Sequence, residues 1–152
     1  MSNAIDSIIK KETRISVIIS TVLSAAFFFL AFGLSPKVLT TASPDQLALD
    51  FIPQSLAIGF FAALMPSLIF GNKRRKGKID GLDRNPDSVG KILLRSIGFA
   101  LVAGVTGALI AFVLRLFVAQ IAYFPAAAVR VIYGGLLAYI VTPRVLRLSL
   151  RP

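Results

Sequence analysis

The sequence predicts an all-α integral membrane protein, a four-helix bundle forming a single membrane domain over 1–152, and three observations predict it. The runs 15–36, 51–72 and 96–114 carry no charge. A fourth run, 116–143, is interrupted only by Arg130. Hydrophobic residues make up 56% of the chain and mean hydropathy is +0.80, leaving almost no sequence for a water-soluble domain. A helical crossing takes roughly 20 apolar residues at about 1.5 Å each, which places spans at about 15–35, 51–71, 93–115 and 126–146.

The first span follows Lys10, Lys11 and Arg14, as a signal peptide would. It exceeds the about 7–15 apolar residues of a signal h-region and no small-x-small cleavage site closes it, so it reads as retained. Ser16, Ser20 and Ser24 form a stripe along it, either lining a polar path or making helix contact with hydroxyls bonded back to the preceding turn. Before the second span, Ser43-Pro44-Asp45-Gln46 has the pattern of a capping box, so a helix is expected to start near Pro44. It would kink at Pro53 and again near Pro66, with Gly59 and Ala63 marking a packing face.

Asn85-Pro86-Asp87-Ser88 repeats the cap pattern and predicts a third helix from near Pro86. On it Ser96, Ala100, Gly104 and Ala108 recur every four residues, beside a second small row of Ala103, Gly107 and Ala111. Lipid gives apolar surfaces no net drive to associate, so small residues that let backbones approach mark the contact face, and this helix is expected at the centre. In the fourth segment Tyr123 and Phe124 suit the interfacial belt, whereas Tyr133 and Tyr139 need partners inside.

Basic residues set the orientation. Lys73, Arg74, Arg75, Lys76, Lys78, Arg84 and Lys91 lie between spans two and three, and Arg144, Arg147 and Arg151 follow span four. The opposite loops hold Lys37, with Arg115 and Arg130 near their edges. The positive-inside rule then puts both termini and the loop 72–91 in the cytoplasm, in a multi-pass protein of the cell (inner) membrane. The net charge of +10 is mostly this signal. Lys73, Arg74, Arg75, Lys76 and Lys78 also suit anionic lipid headgroups, the bilayer being the expected partner. No aromatic residues interleave with them to stack on bases, which argues against nucleic acid.

The two halves, 10–76 and 86–152, look alike. Gly59-Phe60-Phe61-Ala62 and Gly135-Leu136-Leu137-Ala138 stand 76 residues apart, with Pro66 and Pro143 near the inner ends. Two readings stay open: tandem helical hairpins in parallel orientation, or a coincidence of low-information residues. Gly33-Leu34-Ser35-Pro36 and Thr142-Pro143-Arg144 resemble the turn and inner end of small two-span bacterial membrane proteins of unknown function. The resemblance covers most of each half and implies no activity. It departs in the longer first connector and in the absence of that turn from the second half.

Chemistry has few candidates. With no cysteine and no histidine, thiol nucleophiles, histidine metal sites and the usual near-neutral proton shuttle are excluded together. No acid lies inside a span, and Asp80, Asp83, Asn85 and Asp87 do not have EF-hand spacing, so neither catalytic residues nor a cofactor nor a metal site is expected. The candidate site is Arg130. Counting 14 residues back from Arg144 gives about 21 Å of helix, which leaves Arg130 on the order of 9 Å short of the outer boundary, so it must snorkel, pair or face water. Asp50 and Asp45 lie on the same side, and Arg115 falls at the outer surface itself, so Arg130, Asp50, Arg115 and Asp45 form the candidate anion or ion-pair group. The leading expectation is a non-enzymatic protein acting by helix association, as an accessory or assembly subunit or a homo-oligomer. The alternative is a small uncoupled channel, transporter or lipid flippase that attracts anions with Arg130.

Overall fold

The structure, a computed structural model, describes residues 2–77 and 87–149. Its four helices are α1 (Ser2–Phe32), α2 (Phe51–Arg75), α3 (Val89–Phe117) and α4 (Tyr123–Leu148), each long and apolar enough to cross a membrane. They run alternately up and down, so the start of α1 and the end of α4 share one end of the bundle, here the terminal end. At the other end strand β1 (Val38–Thr40) pairs antiparallel with β2 (Gln120–Ala122) in the register Leu39↔Ile121. The short ladder joins the two connectors and seals a buried layer of Phe28, Phe32, Leu39, Leu47 and Tyr123. Sequence patterning does not disclose it, because three residues of strand carry too little alternation to stand out from an apolar run.

α2 and α4 are the inner pair. α2 touches all three other helices, whereas α3 lies against α2, meets α4 sparsely and does not meet α1 among the described residues. The small rows therefore do not centre α3. Ser96, Ala100, Ala103, Gly104, Gly107 and Ala111 are buried against α2, but Ala108 is exposed, since a row at intervals of four drifts around a helix of about 3.6 residues per turn. Close approach is real at this seam. A Cβ on Gly59 would lie 2.5 Å from that of Ala103 and 3.1 Å from the Phe99 carbonyl oxygen. One on Gly107 would overlap Ser55 Oγ and lie 2.7 Å from the Phe51 carbonyl oxygen. Across the bundle Gly134 of α4 sits on Ser24 of α1, so the first helix of each half packs on the second helix of the other half. An approximate two-fold axis running along the bundle between α2 and α4 would give the same pairing.

The helix ends correct the expected punctuation. Ser43-Pro44-Asp45-Gln46 is not a capping box: the segment forms turns, and α2 begins only at Phe51. Asp45 turns back instead to accept from the Thr40 amide at 3.0 Å and from Lys37 Nζ at 2.8 Å. Pro53 then falls in the first turn of α2, where its missing N–H leaves no gap in the helix ladder. Asp87 and Ser88 precede α3, which starts at Val89 with the Ser88 hydroxyl accepting from the Lys91 amide; Pro86 lies outside the described residues. Helix α1 closes on Gly33, whose φ of 77° is the left-handed conformation that glycine adopts without a Cβ clash. Tyr123 is not a belt residue. It is buried, donates to the Gly33 carbonyl and packs on Phe28 with ring centroids 5.0 Å apart, while Phe124 stays exposed.

Three glycines of α3 test the seam. Gly107→Ala should destabilise most, by about 1–3 kcal/mol, because the methyl meets backbone. Gly104→Ala should cost less, since it meets only the end of the Leu56 side chain. Gly98→Ala meets nothing and should be neutral or stabilising by up to about 1 kcal/mol through helix propensity. Thermal melts of the three variants in detergent check the order, and equal melting temperatures would refute a tight α2–α3 seam.

Candidate functional site

Arg130 lies on α4 seven residues after Tyr123, about 10 Å along the helix from the β-ladder end, and its side chain is 1% exposed. A guanidinium there must find acceptors for its fork of donors or lose its hydration uncompensated. Nε donates to Gln54 Oε1 at 2.6 Å and Nη2 to the Asp50 carbonyl oxygen at 3.2 Å. Nη1 stands 2.5 Å from Asp50 Oδ2, an ion contact whose angle lies outside the hydrogen-bond range. The guanidinium carbon also sits 4.9 Å from the Phe51 ring centroid and 5.8 Å from that of Phe32, both within cation–π range. Asp50 caps α2 without bonding its own helix amides, because its carboxylate is turned to the arginine.

Gln54 completes the group. Its Nε2 donates to Ser24 Oγ at 3.0 Å and approaches the Arg130 carbonyl oxygen at 3.3 Å, so one side chain links α1, α2 and α4. Tyr133, one turn further along α4, shares a 2.6 Å hydrogen bond with Ser55, which in turn bonds the Phe51 carbonyl at 2.5 Å. Deeper still, Thr142 Oγ1 lies 3.1 Å from the Ala62 carbonyl oxygen, the acceptor that Pro66 leaves without its usual helix partner, and 2.8 Å from Ser16 Oγ. Ser16 and Ser24 thus bond across helices rather than back to their own turn. Two of the three serines of the stripe are therefore part of the bundle's polar seam, and Ser20 between them is buried.

The four candidate residues separate. Arg130 and Asp50 meet; Asp45 lines the same rim cleft of about 330 Å³ as Asp50 but is held by Lys37 and Thr40; Arg115 is exposed and meets none of them. Tyr139 is exposed rather than partnered inside. Among the candidate headgroup residues, Lys73 pairs with the buried Glu12 of α1 and Arg74 Nη1 donates to the Ser149 carbonyl at 3.0 Å, so these two serve the bundle's terminal end. Arg75 and Lys76 are exposed, and Lys78 lies outside the described residues, as do Asp80, Asp83, Arg84, Asn85 and Arg151. Asp87 reaches Lys91 at 3.0 Å and Arg95 at 3.1 Å, a pairing of helix start rather than of cation binding.

Gln54 and Glu12 went unmarked in the sequence, and Thr142 was marked only as part of the inner end Thr142-Pro143-Arg144. Gln54 had a signal: it stands five residues before Gly59, as Arg130 stands five before Gly135, so the two are equivalent under the 76-residue offset between halves. Compared with known families, curated proteins and solved structures, the chain matches none.

Two predictions follow from the donor and acceptor arrangement. Gln54→Leu should lower stability by about 1–3 kcal/mol, because it strands the Arg130 Nε donor and frees Ser24, and denaturant titration of the variant checks this. Asp45 has its pKa lowered below the ordinary 3.8 by its hydrogen bond to Lys37, then by the Thr40 amide. Its hold on the connector is therefore complete above pH 3.8 and disappears as pH falls through the lower folded value. Hydrogen exchange should show the protection factor of the Thr40 amide falling only below that pH in wild type, and absent throughout in Asp45→Ala, which has no side-chain acceptor.

Proposed function

We propose that this chain is a multi-pass protein of the cell (inner) membrane with both termini cytoplasmic, and that it acts by helix association, as an accessory or assembly subunit or as a homo-oligomer. The observation that carries the reading is the one-sided packing of α3. Its small residues are spent on α2, while Leu94, Leu101, Val102, Val105, Leu109 and Phe112 stay between 60% and 72% exposed along the opposite side. An outer helix gripped along one edge presents a full face to whatever lies beside it in the bilayer. The absence of histidine and cysteine from the sequence, and of any carboxylate in the middle of a span, supports a role without chemistry. The channel or flippase reading rests on a free cation at Arg130, and Asp50 at 2.5 Å already balances that charge.

Photo-crosslinking residues at Leu101 and Val105 should yield a defined higher-mass product from native membranes, whereas Ile19 on α1 and Ile132 on α4, comparably exposed, should not. Equal or absent products at all four positions would overturn association through α3. For the orientation, a cysteine at Ser43 should label with impermeant reagent only from outside and one at Arg75 only from the cytoplasm. The reverse pattern would contradict the basic-residue argument.

A further inference from the structure

A cleft of about 810 Å³ opens on the outer side of the α1–α4 seam at the terminal end of the bundle. At its mouth stand Lys10 and Arg14 from α1 and Arg147 from α4, with Asp6 as the acid beside them. Further along the helices its walls are apolar, made chiefly by Val17, Ile18, Tyr139 and Pro143. The spacing puts these groups on facing sides of the two helices. Lys10, Arg14, Val17 and Ile18 fall at i, i+4, i+7 and i+8, and Tyr139, Pro143 and Arg147 at i, i+4 and i+8. Eight residues span about 12 Å, of which the charged mouth takes about half and the apolar trough the other half, about 6 Å.

None of the three cations has a carboxylate partner among the described residues, in contrast to Lys37, Lys73, Lys91, Arg95 and Arg130, each of which has one. Lys76 and Arg144 also have no carboxylate partner among the described residues, but they do not line this cleft. We propose that the cleft is a binding site for one anionic phospholipid of the adjacent leaflet, its phosphate held by Lys10, Arg14 and Arg147 and an acyl chain lying along Val17, Ile18 and Pro143. Charge complementarity selects an anionic over a zwitterionic headgroup, because three cations face one carboxylate. The trough requires a chain as well as a phosphate, which a free inorganic anion lacks. The site needs no protein partner, so it stands or falls separately from association through α3.

Native mass spectrometry of the protein released from phosphatidylcholine nanodiscs containing a minority of phosphatidylglycerol tests the site. One phosphatidylglycerol per chain should be retained in preference to phosphatidylcholine. Arg14→Gln with Arg147→Gln should weaken retention about thirtyfold, whereas Lys76→Gln with Arg144→Gln, which removes as much charge outside the cleft, should leave it nearly unchanged. Ile18→Trp keeps every cation but fills the trough, so it should also release the lipid, and added inorganic phosphate should not. Equal retention of the two lipids by the wild-type protein overturns the site without recourse to any variant. Equal losses in the two charge doubles, full retention in Ile18→Trp, or displacement by inorganic phosphate would each overturn it as well.

Discussion

A guanidinium buried among four apolar helices has to be satisfied by the protein itself, and much of this fold is arranged around that requirement. Arg130 gathers acceptors and rings from two helices, Asp50, Phe51 and Gln54 from α2 and Phe32 from α1, and Gln54 in turn bonds Ser24 of α1. Apolar contact alone gives helices little reason to choose one neighbour over another in lipid, so directional bonds and close backbone approach must supply the choice. The arginine supplies bonds at one end of the α2–α4 contact, and Thr142 with Ser16 and the Ala62 carbonyl supplies them near the other. Between these the Tyr133–Ser55 bond lies on the same interface.

The same constraint explains why α3 sits outside. Among the described residues it carries no polar group bonded to α1, and its side-chain bond toward α4 lies at the terminal end, where Arg95 Nη1 donates to Oγ of the α4 C-cap Ser149 at 3.0 Å. Its grip on α2 comes instead from glycine and alanine rows that admit backbone contact on one side only. A bundle with a bonded inner set and one sterically held outer helix has a face free for association, while the α1–α4 seam, closed by Ser24 and Gly134 and opening toward the basic terminal end, leaves room for lipid.

The four helices were legible because membrane crossing imposes a length and a polarity that few other structures need; α2, α3 and α4 include the expected segments, and α1, which ends at Phe32, stops three residues short of the first. Arg130 was legible for the same reason, as a charge where the arithmetic of rise per residue leaves none comfortable, and that arithmetic also pointed to Asp50. Gln54 was not, since a neutral side chain inside a permissive run carries no cost that hydropathy registers; only its equivalence to Arg130 between the halves marked it. Cap patterns misled at Ser43 because Asp45 found a better use, the Thr40 amide and Lys37 on the neighbouring strand segment, than the start of a helix. The central position expected for α3 failed on geometry. Small residues show that a face is packed, and say nothing of how many partners share it.

The claim that Arg130 is an internal tie rather than a free charge is tested most directly by a double-mutant cycle on stability. Asp50→Asn, Arg130→Gln and the double variant would be unfolded in detergent beside the wild-type protein. If the pair is the tie described, the single losses overlap and the coupling energy is about 0.5–3 kcal/mol, with Asp50→Asn costing less than the about 3–5 kcal/mol of a fully buried pair because its carboxylate side is 32% exposed. Strictly additive losses would contradict the account, for they would mean that arginine and aspartate do not depend on one another.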